Sequence, residues 1–437
     1  MSTIKNGVEM EHKSSKNIYS FYFIFISFIV GSLLGIFLQI LNSKYQIDFS
    51  FIVNRVINPF GIVFVKMLKM IVIPIVFFSL FQGASNLELK KFGRIGIKII
   101  LWYLGTSFFA AIIGTIVAFI VNPGSYSLVD INKINLLSGV KVNATKISFS
   151  EIILNIFENP FSALSNGNFL GIIFFAIISG ISYRLLLDSE RINNDIISQL
   201  INQINLILYK IVDFILLYAP FGVFCLSIVN FYNFGIGLIR PYFKIAIGVI
   251  FSILLMIFVV YSGIVFLFTK TSPFTFLKKI KNVLLTAFVT RSSAATLPVS
   301  LRTAIENLRV RKEVAEFSLP LGATINMDGV CVHLPMFVIL AANLFSIHLT
   351  LGSIIILIIT TVLAAIGAGG VPGGSLILLF IVLGSLGINE SQQALIISFA
   401  MGINPILDMF ETTNNVTGDI MCTYVVSKNE GLVNEEK

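Results

Sequence analysis

The sequence predicts an all-α integral membrane protein with eight transmembrane helices and two re-entrant helical hairpins. Three observations carry that expectation. Only 12% of the 437 residues are charged and 56% are hydrophobic, whereas a water-soluble domain carries about 25% Asp, Glu, Lys and Arg to solvate its surface. The apolar residues fall in runs of the ~20 that a helix needs to cross a ~30 Å hydrocarbon core. In the last third, two small-residue breaks interrupt this pattern at corresponding positions of two similar halves. The same composition excludes intrinsic disorder, and 32 Gly and 12 Pro without a short period exclude a collagen-like or mucin-like chain.

Taken in order, a polar tail (residues 1–17) precedes a first apolar run from Ile18. That run lacks a small-residue cleavage pattern, so it reads as a retained helix rather than a signal peptide. Further helices are expected to start near Ile57, Ile99, Ile152, Leu200 and Ala246, so that six occupy residues 18–270. Pro74 marks a kink in the second, and the polar stretch Asn122 to Ser150 is the longest loop here. The basic residues, a formal net charge of +8, cluster in alternate loops: Lys5, Lys13 and Lys16; Lys90, Lys91, Arg94 and Lys98; Lys278, Lys279 and Lys281; then Arg309, Arg311, Lys312 and Lys428. Such clusters set membrane orientation rather than nucleic-acid binding, and they place both termini in the cytoplasm. The sequon Asn143-Ala144-Thr145 is too short a match to carry weight. Cys225, Cys331 and Cys422 lie in apolar runs without paired spacing and read as small buried hydrophobes. His12, His333 and His348 are too scattered for a metal cluster.

Residues 271–427 depart from the plain pattern, and a short tail (residues 428–437) follows them. The apolar segment from Leu284 to Ser300 is interrupted by Arg291-Ser292-Ser293-Ala294-Ala295-Thr296-Leu297-Pro298. From Gly329 to Asn389 there is no Asp, Glu, Lys or Arg, yet the middle reads Gly367-Ala368-Gly369-Gly370-Val371-Pro372-Gly373-Gly374-Ser375. Because Gly costs a helix about 1 kcal/mol and Pro about 3, each segment is expected to form the tip of a re-entrant hairpin. Such backbone is tolerated at membrane depth only where protein or a water-filled cavity covers it. Each hairpin is followed by a helix with amides and carboxylates, Asn326-Met327-Asp328-Gly329 in one and Asn414-Asn415-Val416-Thr417-Gly418-Asp419 in the other. This approximate repeat is the pattern that points to a secondary transporter's binding site.

Asp408, Glu411, Asn415 and Asp419 are spaced by three, four and four, so they share one helix face. An amphipathic helix with a solvated side would explain the spacing. However, Ala394 to Val426 holds no other charge, and a carboxylate at membrane depth costs at least about 2.5 kcal/mol, which favours a buried, partnered stripe. Amide, hydroxyl and carboxylate oxygens without thiolate or imidazole suit a hard cation such as sodium, and Asn326, Asp328, Asn415 and Asp419 supply them. Proton carriage by the same carboxylates competes with that reading. Tyr103, Thr106 and Ser107 form a small hydroxyl face that, taken alone, is explained by bonding back to its own helix.

On these residues the chain closely resembles the glutamate-transporter-type family of dicarboxylate and amino acid:cation symporters, from the first helix to about Ser427. Thr290-Arg291-Ser292-Ser293 resembles the first hairpin tip and Gly322-Ala323-Thr324-Ile325-Asn326-Met327-Asp328-Gly329 the unwound seventh helix. Gly370-Val371-Pro372-Gly373 resembles the second tip, and Asp408-Met409 with Asn415-Val416-Thr417-Gly418-Asp419 the eighth helix. The resemblance implies an elevator fold with inverted repeats and a homotrimer. Scaffold helices would be static, and a mobile transport domain would contain the third and sixth helices with residues 271–427. It also implies sodium or proton co-transport with no organic cofactor, and cell-membrane localisation. By similarity, Gly322, Asn326, Asn415 and Asp419 would form one sodium site, and Tyr103, Thr106, Ser107, Asn326 and Asp328 a deeper second. A third would lie between Thr324 and the backbone of Ala365, Ile366 and Ala368.

For the substrate, the resemblance implies contacts from Ser292 and Ser293, from Val330, and from Val371, Gly373 and Ser375 of a gating second hairpin. Asp408, with Thr412, would hold an α-amino group, and Asn415 with the first tip an α-carboxylate. Two departures stand out. Where acidic-substrate members have an Arg this chain has Glu411, and where they have a Thr after the Asp-Gly it has Val330. A substrate carboxylate near Glu411 would be repelled, and a Glu in this position resembles the serine/threonine branch. Glu411 is expected to pair with Arg291, leaving a small neutral pocket for serine, threonine or alanine. A cationic amino acid is the second reading, and glutamate, aspartate or a dicarboxylate, with proton coupling, a further one. An intramembrane hydrolase lacks a Ser/His or Cys/His pair, and a channel lacks a repeated carbonyl filter.

Overall fold

The computed structural model describes residues 2–86, 89–124, 154, 156–166, 168–189, 191, 195–367 and 373–434. The described elements are helices: α1 (Ser2–Tyr45), α2 (Asn58–Ser85), α3 (Leu89–Val121), α4 (Pro160–Asn166), α5 (Phe169–Asp188), α6 (Ile196–Phe234), α7 (Ile239–Leu255), α8 (Ser262–Thr269), α9 (Pro273–Thr290), α10 (Ser293–Arg302), α11 (Lys312–Ile325), α12 (Asp328–Leu344), α13 (Leu351–Ile366), α14 (Gly374–Ser385) and α15 (Glu390–Asn429). Single π-helical turns at Ile52–Ile57, Met256–Tyr261 and Thr303–Asn307 run directly into neighbouring helices. Outside the helices, Val310 bridges Val433, which draws the end of the chain onto the loop before α11.

Among the described residues, seven stretches are long and apolar enough to cross a membrane. One of them, Ile196–Thr269, has 74 residues. At 1.5 Å per residue it exceeds a ~30 Å core several times over, and its break at Gly235, with φ of 61°, separates α6 from α7.

Helix starts follow local chemistry. Asn168, Ser292 and Thr350 cap α5, α10 and α13 by accepting a backbone N–H, and Asn389 with Gln392 forms a capping box on α15. Several expectations need correction. The helix that carries the first apolar run extends back to Ser2, whereas the part of it long and apolar enough to cross a membrane begins at Tyr22. Ile152, where a fourth helix is expected to start, lies outside the described residues; the described apolar helix that follows starts at Phe169, where the Asn168 cap fixes it. The sequon and most of the loop before Ser150 lie outside the described residues.

The two small-residue segments behave differently from a uniform break. At the first, only Arg291 (φ 55°, ψ 28°) and Ser292 leave the helix. Ser293–Arg302 is helical despite Pro298, because the Ser292 cap and the following alanines start it. The two arms α9 and α10 pack on each other, as do α13 and α14. Residues 368–372, including Ala368, Gly370, Val371 and Pro372, lie outside the described residues, and the chain re-enters a helix after Gly373, whose φ of 77° suits a residue without Cβ. The predicted break at Asn326-Met327 is present between α11 and α12. Its counterpart is not interrupted, because α15 is one helix of 40 residues in which the hydroxyls of Thr413, Thr417 and Thr423 donate to the carbonyls of Met409, Thr413 and Asp419 one turn earlier. The helix α2 likewise runs through Pro74.

Packing groups α1, α2, α5 and α6 together, and sets α12 at the centre of the rest, against α3, α7, α14 and α15. All of α12 except Asn343 is buried.

Candidate functional site

The start of α12 meets α15 with almost no separation. A Cβ on Gly329 would fall 2.4 Å from the Glu411 carbonyl oxygen, so only glycine lets the two backbones approach this closely. The N–H of Gly329, one of the donors that a helix start leaves without a partner, gives its hydrogen bond to Asn415 Oδ1 at 2.6 Å. The break and the stripe on α15 are thus one unit.

Below that contact lies a cluster of oxygens. Ser107 donates to Asp328 Oδ1 at 2.7 Å and Tyr261 to Asp328 Oδ2 at 2.6 Å. Thr106 reaches its own Tyr103 carbonyl and also Asn326 Oδ1, at 3.2 Å. Asn326 Nδ2 donates to Asp419 Oδ1 at 3.0 Å, and Gly322 lies against the Asp419 carboxylate and the Tyr103 hydroxyl. Asp328 is fully buried and Asp419 is 3% exposed, and among the described residues no Lys or Arg pairs with either. Two carboxylates in such surroundings need a cation or a proton. Of the expected oxygen donors, Tyr103, Thr106, Ser107, Gly322, Asn326, Asp328 and Asp419 are brought together. Asn415 sits one turn away on Gly329 and the Met327 sulfur. Thr324 turns its hydroxyl onto the Leu321 carbonyl, Ala365 and Ile366 lie at the end of α13, and Ala368 lies outside the described residues.

Above the contact, Ser293, Val330, Ser375, Asp408, Glu411, Thr412 and Asn415 line one cleft together with Arg291, Met327 and Gly374. Ser292 caps α10 instead, and Gly373 reaches the cleft through its N–H, which donates to Asp408 Oδ2 at 3.2 Å. Val371 lies outside the described residues. The expected pairing of Arg291 with Glu411 is wrong. Arg291 binds Asp408, because its left-handed backbone at the end of α9 aims the guanidinium one turn earlier along α15. Glu411, 1% exposed, instead meets His333 of α12, Oε1 against Nδ1.

A sequence model of the sodium:dicarboxylate symporter family matches residues 21–429. The chain belongs to that family. As a member it is a cation-coupled symporter of amino acids or dicarboxylates, a multi-pass membrane protein and a transporter rather than an enzyme. The symporter is 32% identical over 420 residues, 95% of each chain, to a proton/sodium-glutamate symport protein of Geobacillus stearothermophilus. It is 29% identical over 421 residues, 95% of this chain and 93% of the other, to a proton/glutamate-aspartate symporter of Escherichia coli K12. A serine/threonine transporter of Campylobacter jejuni subsp. jejuni is 30% identical over 404 residues, 92% of this chain and 94% of the other. Sodium or protons are therefore the coupling ions to consider for this symporter.

Reading the sequence missed two residues of the site. Tyr261 gave no signal, since one Tyr in an apolar helix is ordinary. For His333 a signal was present: with no Asp, Glu, Lys or Arg from Gly329 to Asn389, an ionisable side chain there stands out.

Proposed function

We propose that this symporter carries small neutral amino acids, serine, threonine or alanine, together with sodium. In this reading it is a homotrimer of the cell membrane with eight spans, two re-entrant hairpins and cytoplasmic termini. Residues 271–427, with α3 and α7, would move as an elevator against the remaining helices. Asp408 and Thr412 take the α-amino group, Asn415 and Ser293 the α-carboxylate, and the segment around Val371, Gly373 and Ser375 closes over them. Sodium is held by the oxygens of Asn326, Asp328 and Asp419 with Tyr103, Thr106, Ser107 and Gly322. A further ion lies between Thr324 and the carbonyls of Ala365, Ile366 and Ala368.

The observation that carries the substrate class is Glu411 held against His333 beside Val330. Partnered by an imidazole, the carboxylate at the side-chain end of the cleft offers an acidic substrate no cation to bind and leaves no unpaired charge to attract a basic one. The serine/threonine transporter among the relatives agrees with this reading. The glutamate-named relatives do not extend it to acidic substrates, because Arg291 in the cleft is already bound to Asp408. The test is proteoliposome uptake of radiolabelled serine, threonine, alanine, arginine, glutamate and succinate, with and without a sodium gradient. Uptake of serine, threonine or alanine that needs sodium is the expected result; uptake confined to glutamate or succinate overturns it.

A further inference from the structure

His333 is 1% exposed and Glu411 likewise, and they face each other from two helices whose backbones touch at Gly329. The imidazole is held edge-on to Phe337, with ring centroids 4.9 Å apart, and its Nε2 has no hydrogen-bond partner among the described residues. Glu411 lines the cleft, whereas His333 lies behind it. The other charges of the cleft, Arg291 and Asp408, cancel each other. The charge a substrate side chain meets is therefore set by the His333 and Glu411 pair.

We propose that His333 is a positioning residue that selects the substrate class through Glu411. Resting on the neutral-substrate reading above, it deepens that reading by naming what keeps basic amino acids out. With the imidazole against it, Glu411 is turned back toward α12 and is not left in the cleft as an unpartnered charge, so the cleft accepts an uncharged side chain. Without the imidazole, Glu411 presents an unpaired carboxylate to the cleft and recruits an ammonium or guanidinium group.

The test compares wild type, His333→Gln, Glu411→Gln and the double variant, measuring inhibition of radiolabelled serine uptake by unlabelled lysine and unlabelled alanine. In His333→Gln the ratio of lysine to alanine potency rises at least about tenfold, the scale of one charge-assisted contact. Adding Glu411→Gln to it returns the ratio to within about threefold of wild type, as expected when the effect runs through that carboxylate. A purely structural role for His333 lowers uptake of every substrate alike and leaves the ratio unchanged, which overturns the proposal. Where His333→Gln abolishes uptake, lysine-induced against alanine-induced thermal stabilisation of the detergent-purified protein reads the same ratio, and stabilisation by neither also overturns it. If the wild type carries none of serine, threonine and alanine, the neutral reading fails. The ratio is then read against whichever labelled substrate the wild type does carry, so the role of His333 is judged separately.

Discussion

Arg291, at the turn of the first hairpin, donates two hydrogen bonds to a single oxygen of Asp408, from Nε at 3.1 Å and from Nη2 at 2.9 Å. The N–H of Gly373, from the second hairpin, binds that same oxygen. One carboxylate on α15 therefore ties both hairpins down.

A substrate ammonium that uses Asp408 must displace this guanidinium. Arg291→Ala removes the competitor, and each charged hydrogen bond is worth about 1.5–3 kcal/mol. The expected result is serine binding tightened at least about tenfold, with lower thermal stability without substrate because Asp408 loses its partner. Isothermal titration and thermal unfolding with and without serine check it. Unchanged binding would mean that Asp408 does not take the amino group.

Sodium coupling makes its own demand on the oxygen cluster. Asp328→Asn and Asp419→Asn each remove a buried anion, so uptake should fall and the sodium concentration for half-maximal uptake should rise by about tenfold or more. Sodium titration of serine uptake measures this. Wild-type uptake that survives replacement of sodium by choline while a proton gradient drives it would refute sodium as the coupling ion.

Tyr261→Phe deletes only the hydroxyl that donates to Asp328 Oδ2. The ring remains, so folding is retained, and the lost bond to a carboxylate, about 1.5–3 kcal/mol, corresponds to a rise of at least about tenfold in the half-saturating sodium concentration. A variant with wild-type sodium dependence would place the ion elsewhere.

At Gly373 a Cβ would meet nothing within 4 Å, so a substitution there acts through backbone angle alone. Left-handed geometry costs an L-residue about 1–2 kcal/mol. Gly373→Val should therefore populate the closed second hairpin about 5–30-fold less and slow uptake, while thermal stability changes little. Gly370→Val is expected to slow uptake as well. Normal rates in both variants would argue against a gating segment.

These effects divide according to what the sequence could reveal. The break at Asn326-Met327, the stripe from Asp408 to Asp419 and the hydroxyl face of Tyr103, Thr106 and Ser107 were legible, because spacing within one helix determines which residues share a face. The partner across the helix interface was not. Asp408 and Glu411 are three residues apart, and a guanidinium 117 residues from Asp408 could have reached either. The left-handed turn at Arg291 and the close approach at Gly329, both tertiary facts, decide between them. The same limit hid Tyr261, whose partner lies 67 residues away.

Substrate polarity gives the most demanding prediction, and the position of His333 changes how it must be tested. Replacing Glu411 by Arg and Val330 by Thr restores both groups that the resemblance assigns to acidic-substrate members. With His333 in place, however, the new guanidinium would be set directly against an imidazole, and its pairing with a substrate carboxylate would compete with that interaction. His333→Phe removes the imidazole and keeps a ring to pack edge-on against Phe337. The triple variant Glu411→Arg, Val330→Thr, His333→Phe should therefore take up aspartate or glutamate and lose serine uptake. Their ratio should change at least about a hundredfold, because a bidentate charged pair forms with the substrate where the wild type offers no cation. The double variant without His333→Phe should reach only part of that change. Competition against labelled serine checks the wild type directly: strong inhibition by aspartate or glutamate with none by threonine would mean that Glu411 does not face the substrate side chain at all.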